Sequence, residues 1–161
     1  TFATANNIRN LPSELLRKGR FDEIFFVDLP DFDERKKIIE IHIGKTERDV
    51  NSFDIDKLAK LSGEENFGDN IRLSGAEIES WVKDALMEAY ARKTSGDSSA
   101  DLSMKDFEIV LKRMVPMAKM RLTDFKELRD WANENAVSAS ISTTSPDIPD
   151  NSLGGRRLDL F

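Results

Sequence analysis

The sequence predicts the end of an α/β sheet followed by a helical subdomain, so that most of the chain is helical. The run from Ile24 to Asp28 is apolar enough for a strand buried on both faces of a parallel sheet. From residue 31 to about residue 132, apolar residues recur at helical spacing. After Asn133 the composition changes to Ser, Thr, Asp and Pro, which predicts a disordered tail as far as Phe161.

Two short elements are predicted before that strand. Residues 1–5 have the pattern of a short buried strand, and Pro12 and Ser13 begin a brief helix that runs to Lys18. Gly19 is well placed to end this helix. Because the first residue is Thr and already lies in a strand pattern, we interpret the N-terminus as a point of excision or proteolysis.

Capping signals locate the later helices. Asp31 and Glu34 have the spacing of a capping box, and Ser74 and Glu77 repeat it before a helix that runs to about Arg92. The apolar face of this long helix is formed by Ile78, Trp81, Val82, Ala85, Leu86 and Ala89. Other helices are predicted over 55–61, from Ser103 to an interruption at Pro116, and from Thr123 onward, with a polar loop at 94–101.

Composition and charge exclude several classes of function. A net charge of −6 and a pI near 4.9 argue against a broad nucleic-acid-binding surface, which is usually basic. The chain has no cysteine, so it has neither a disulfide framework nor thiol chemistry. Its apolar runs are far shorter than the ~18 residues that a membrane-spanning helix needs. A cytoplasmic protein is the expectation, and the resemblance described below implies the plastid stroma as an alternative.

The candidate catalytic residues lie near the N-terminus. Asn6 follows the first short strand, and Arg17 and Arg20 lie on either side of Gly19. Phosphoryl transfer uses an amide to orient the attacking water and a guanidinium to neutralise charge on the γ-phosphoryl group. The simpler alternatives are an amide that caps a turn and two surface arginines.

These residues carry a resemblance to a known family. The segment Thr4-Ala5-Asn6-Asn7 and the run from Leu15 to Asp22 resemble the second half of the ATP-hydrolysing core of AAA+ proteins, in the AAA subgroup proper. The resemblance extends over about residues 1–115. The chain is also similar to cyanobacterial and plastid-encoded AAA proteins. This implies the α/β end of a P-loop ATPase core followed by an all-α helical lid.

The resemblance assigns roles and boundaries. It implies that Asn6 is the sensor-1 residue and that Arg17, supported by Arg20, is an arginine finger for the neighbouring subunit. It places the large α/β subdomain at 1–30 and the lid with its C-terminal helix at 31–132, and it leaves 133–161 as the tail. No phosphate loop of the form G-x-x-x-x-G-K-S/T and no acidic strand before Asn6 is present. The ligands of ATP phosphates and Mg²⁺ are therefore expected outside this chain.

The lid residues expected to contact adenosine are few. The resemblance implies that Ile38 and His42 line an apolar slot and that Gly75 and Ala76 let the backbone approach the adenine. Without the resemblance, the simplest interpretation is that His42 is a structural histidine. Gly75 would then be a small residue that the first turn of a helix tolerates. Residues 63–73 depart from the family, because they form a longer link than usual before Ser-Gly-Ala.

The implied function is ATP hydrolysis in a homo-oligomeric ring, a hexamer, coupled to the remodelling of a protein partner. The alternative is a non-catalytic interaction module or a degenerate ring subunit. Residues 157–161, with the sequence Arg-Leu-Asp-Leu-Phe, resemble peptides that bind the bacterial sliding clamp, with Arg157 where Gln is preferred. A clamp is therefore a further candidate partner, and an inert chain end is the simpler interpretation of this segment.

Overall fold

The chain is mostly helical over residues 3–5, 23–97 and 100–140, which are the residues that the computed structural model describes. This confirms the prediction of a mostly helical protein. A 3₁₀ turn lies at Val50–Ser52 between the first two helices. In chain order the other elements are β1 (Phe25–Phe26), α1 (Phe32–Gly44), α2 (Ile55–Leu61), α3 (Glu64–Phe67), α4 (Gly75–Thr94), α5 (Met104–Leu111), α6 (Met117–Met120), α7 (Leu122–Asn135) and β2 (Val137–Ser138).

Both predicted capping boxes are present and fix where α1 and α4 begin. The Glu34 amide donates to Asp31 Oδ1 at 2.8 Å, and the Asp31 amide donates back to Glu34 Oε2 at 2.9 Å. Ser74 and Glu77 form the same reciprocal pair at the start of α4. Each box satisfies backbone amides that have no partner within the helix.

The main core lies where α4 packs against α1 on one side and α5 on the other. Trp81 and Phe107 are fully buried and meet edge to face, with ring centroids 5.2 Å apart. The Trp81 indole Nε1 donates to the Phe107 carbonyl oxygen at 2.9 Å, so the one polar atom of this side chain is satisfied. Around this pair lie Ile39, Ile43, Leu58, Leu73, Ile78, Val82 and Ala85.

The sheet in the described residues consists of two short parallel strands. Phe25 lies opposite Val137 and Phe26 opposite Ser138. The prediction that Ile24 to Asp28 is buried on both faces is wrong for this structure, because Phe25 is 59% exposed and Val27 is 77% exposed. The physical reason is that among the described residues only a two-residue strand covers β1, and no layer packs on the face that carries Phe25 and Val27.

Residues at the start of the predicted disordered tail have regular structure. Helix α7 continues to Asn135, and β2 follows at Val137–Ser138. Two backbone hydrogen bonds hold this segment against β1 and the residue before it, from the Val137 amide to the Ile24 carbonyl at 2.8 Å and from the Ala139 amide to the Phe26 carbonyl at 2.9 Å. Backbone pairing therefore orders residues that have little apolar surface to bury. Residues 141–161 lie outside the described part of the chain.

The insertion at residues 63–73 folds onto a second, smaller apolar cluster. It contains α3, and its Ile71 packs with Leu29 and Ala118, against which Phe67 and Phe125 also pack. Leu73, at the end of the insertion, is fully buried in the main core. The insertion thus contacts both clusters.

A buried arginine explains why the first residue of this insertion, Gly63, is a glycine. Arg35 on α1 is 3% exposed, and its guanidinium donates twice to the Ala59 carbonyl and once to the Pro30 carbonyl. A Cβ atom at Gly63 would lie 2.3 Å from Arg35 Nη2 and 2.9 Å from its Cζ. The close packing of this guanidinium therefore requires glycine.

We expect Gly63→Ala to lower the free energy of unfolding by about 1–2 kcal/mol, because Arg35 must shift and lose hydrogen bonds to buried carbonyls. Gly44→Ala is the matched control, since its Cβ would meet only Val50 Cγ2 at 3.9 Å. Urea denaturation of both variants measures the difference. Equal stability of the two variants would show that Arg35 moves without cost.

Candidate functional site

Helices α1 and α4 carry the four residues for which the resemblance implies contact with adenosine. Gly75 is the first residue of α4, and a Cβ atom placed on it would lie 3.8 Å from Ile38 Cδ1 on α1. Ile38 and His42 are four residues apart on α1, so they lie on one face of the helix. Both side chains are half-buried. We refer to the surface that α1 and the first turn of α4 share at these residues as the groove.

The groove has a polar end next to His42. Glu79, one turn into α4, accepts a hydrogen bond from Lys83 Nζ at 2.6 Å. This bond and the Lys83 charge hold the pKa of the Glu79 carboxyl below its usual range, with smaller contributions from His42 and Lys45. His42 therefore lies within electrostatic range of a carboxylate. The sequence did not single out Glu79, because the pairing of α1 with α4 is what brings it near His42.

The first turn of α4 is held in place from two sides. Glu77 Oε2 accepts from the Ser74 amide at 2.8 Å and from the Ser74 hydroxyl at 2.7 Å. Glu77 Oε1 accepts from the Met117 amide at 2.7 Å, which ties the start of α6 to the same turn. Ala76 is exposed beside these bonds. This fixed turn presents Gly75 and Ala76 at the surface.

Glycine at position 75 has no packing reason within the described structure. The only contact that an added Cβ would make is the 3.8 Å approach to Ile38, an ordinary van der Waals distance. Gly75 is also absent from the residues with positive φ, so an L side chain is free to adopt its backbone conformation. This contrasts with Gly63, where the fold leaves no room for a side chain.

The other predicted site residues lie outside the described residues. These are Asn6, Arg17 and Arg20, together with the C-terminal segment 157–161. Among the residues that are described, no group of three or more His, Asp or Glu side chains is arranged to hold a metal ion. In the same ranges, no helix is long and apolar enough to cross a membrane.

Comparison with known proteins places the chain in a family. It is 40% identical over 141 residues to the AAA domain-containing protein ycf46 of Trieres chinensis, a match that covers 87% of this chain and 26% of that protein. The protein of the same name in Pyropia yezoensis is 38% identical over 142 residues, with the same coverage of 87% and 26%. The ATP-dependent zinc metalloprotease FtsH of Thermotoga maritima is 34% identical over 148 residues, covering 89% of this chain and 22% of that protein.

These similarities identify the class of protein. The chain belongs to the AAA+ ATPase family, and it corresponds to the C-terminal part of the ATPase module. The predicted likeness to plastid-encoded AAA proteins is thereby confirmed. The chain spans about a quarter of the length of the ycf46 proteins that it matches. No protein-family model matches the chain.

We expect Gly75→Ala to leave the free energy of unfolding unchanged or to raise it by up to about 1 kcal/mol, because alanine favours a helix over glycine. Urea denaturation of the purified chain measures this. A clear loss of stability would mean that the fold itself requires glycine at this position, and the groove would lose its main distinguishing feature.

Proposed function

We propose that this chain forms the helical lid of an AAA+ ATPase module and also supplies its sensor-1 amide and arginine fingers. The observation that supports this best is the open first turn of α4, where Gly75 faces Ile38 and nothing in the described fold requires a glycine. An exposed backbone turn without a side chain suits a flat ligand that approaches closely. The adenine of ATP is such a ligand.

Each groove residue has a distinct part in this proposal. Ile38 gives the adenine ring an apolar contact, and Gly75 and Ala76 leave space for the ring at the start of α4. His42 contributes a ring nitrogen at the polar end of the groove, where it can hydrogen-bond the ribose or the adenine edge. The phosphates and Mg²⁺ require a phosphate loop and acidic ligands that this sequence does not contain.

The catalytic contribution comes from the N-terminal segment. Asn6 would orient the attacking water beside the γ-phosphate, and Arg17 would reach the nucleotide of the neighbouring subunit with Arg20 in support. A guanidinium supplied by a neighbour makes hydrolysis depend on ring assembly, a homo-hexamer in this proposal. Hydrolysis would then drive lid motion that remodels a protein partner.

The adenosine assignment predicts a selective effect of Gly75→Ala in the full gene product. The added methyl group occupies the space that the adenine needs, so the affinity for a fluorescent ATP analogue should fall about tenfold, or 1.4 kcal/mol. Gly44→Ala should bind the analogue like the wild-type protein. If both variants bind equally well, the adenine does not lie against the first turn of α4.

The finger assignment predicts a different phenotype for Arg17→Ala. ATP turnover should fall by about 10³-fold or more, whereas nucleotide binding stays close to that of the wild-type protein, because the finger acts mainly on the transition state. Lys18→Ala, which removes the adjacent cation, should retain turnover. Steady-state phosphate release and equilibrium binding separate the two effects. Full turnover by Arg17→Ala would favour the alternative of a non-catalytic module.

A further inference from the structure

Three parts of the chain that have no role in the proposed nucleotide site meet at Asp28. This residue follows β1, at the start of the connection that leads into α1. Arg129 on α7 donates from Nε to Asp28 Oδ2 at 2.8 Å and from Nη2 to Asp28 Oδ1 at 3.1 Å. The Arg129 side chain is only 19% exposed and the Asp28 side chain only 25% exposed. A two-bond guanidinium–carboxylate pair fixes both distance and orientation.

The insertion at 63–73 supplies the other side of this contact. Arg72 Nη2 lies 4.0 Å from Asp28 Oδ2. Arg72 Nε lies 3.5 Å from Glu64 Oε1 and has no hydrogen-bond partner among the described residues. Asn70, whose φ of 63° is in the left-handed region, accepts a bond from Arg129 Nη1 at 3.2 Å. The insertion thus contributes both a second cation for Asp28 and an acceptor for Arg129.

The same three segments also share an apolar contact. Leu29, next to Asp28, packs with Ile71 of the insertion and Ala118 of α6, and all three are at most 8% exposed. Phe67 of the insertion and Phe125 of α7 pack against this cluster. It is separate from the main core around Trp81. Polar and apolar contacts therefore converge on the connection between β1 and α1.

We propose that these contacts form a clamp that holds the β1–β2 pair against the helical subdomain. The clamp consists of Asp28, Arg72 and Arg129 together with the cluster of Leu29, Ile71 and Ala118. Its polar part joins Asp28 to Arg129, and the insertion at 63–73 provides one of its sides. Loss of the Asp28 charge should release β1 and β2 while the core around Trp81 stays folded.

The clamp has a consequence for an ATPase that rests on the proposed function. The segment with Arg17 and Arg20, the proposed arginine fingers, lies directly before β1 in the sequence. The proposed adenosine groove lies in the helical subdomain after β1. A clamp at the connection would make β1 follow the movement of the lid instead of pivoting at residues 28–31. The clamp itself is independent of nucleotide and can be tested without hydrolysis.

The test is amide hydrogen exchange, followed by NMR, on the 161-residue chain and its Asp28→Asn variant. Asparagine keeps the size of the side chain and the oxygen that accepts from the Leu29 amide at 2.7 Å, but it removes the charge. Exchange at the Val137 and Ala139 amides, which donate to β1, should become about tenfold faster or more. Exchange at the Ile78 amide in α4 should change less than about twofold.

Two further variants define the outcome. Asp124→Asn removes the charge from an exposed ion pair at the start of α7, in which Arg121 is 60% exposed and Asp124 is 49% exposed. It should therefore leave exchange at Val137 unchanged. Arg129→Gln should reproduce the effect of Asp28→Asn, and combining the two should add little. The proposal is overturned if Asp28→Asn behaves like Asp124→Asn. It is also overturned if Val137 and Ile78 accelerate by the same factor, since that indicates global unfolding.

Discussion

The packing of α4 around Trp81 is the contact on which the other features of the structure depend. Trp81 is fully buried, and its indole Nε1 bonds to a carbonyl of α5, so α4 is fixed to α5 by both shape and a hydrogen bond. On its other side α4 packs against α1 through Ile39, Ile43 and Ile78. Replacing a buried aromatic residue of this kind by alanine typically costs about 3–5 kcal/mol. The position of α1 relative to α4 is therefore set by the core.

The groove follows from that arrangement. Once α1 and α4 are held together, the capping box places Gly75 at the end of α4 that faces Ile38, and His42 comes within range of Glu79. None of these residues needs a mobile loop to reach its position. A ligand that enters the groove would therefore meet a preformed surface, which reduces the ordering cost of binding.

Much of the helical subdomain could be predicted from the sequence, because its signals are local. The capping boxes at Asp31 and Ser74 and the apolar face of α4 depend on residues three or four positions apart. The strand pair could not be predicted, because β2 has a polar composition and is ordered by hydrogen bonds to a strand more than a hundred residues earlier. The salt bridge between Asp28 and Arg129 could not be predicted for the same reason, because its partners are far apart in the sequence and no local pattern marks either residue as paired.

The candidate site also has a part that could be predicted from the sequence and a part that could not. Ile38, His42, Gly75 and Ala76 were identified through the resemblance to AAA+ proteins, and the structure adds the reason why they lie together, which is the packing of α1 on α4. The sequence did not indicate Glu79 or the bond between Glu77 and Met117, since both depend on the tertiary arrangement. The roles of Asn6, Arg17 and Arg20 rest on the family resemblance.

The most direct test of the account is photoaffinity labelling of the full gene product with an azido-adenine analogue of ATP, followed by peptide mapping. We expect the label to attach to the segment of α1 around Ile38 and His42 or to the first turn of α4 at Gly75 and Ala76, and we expect excess ATP to prevent the labelling. Labelling that competes with ATP but maps to neither segment would contradict it.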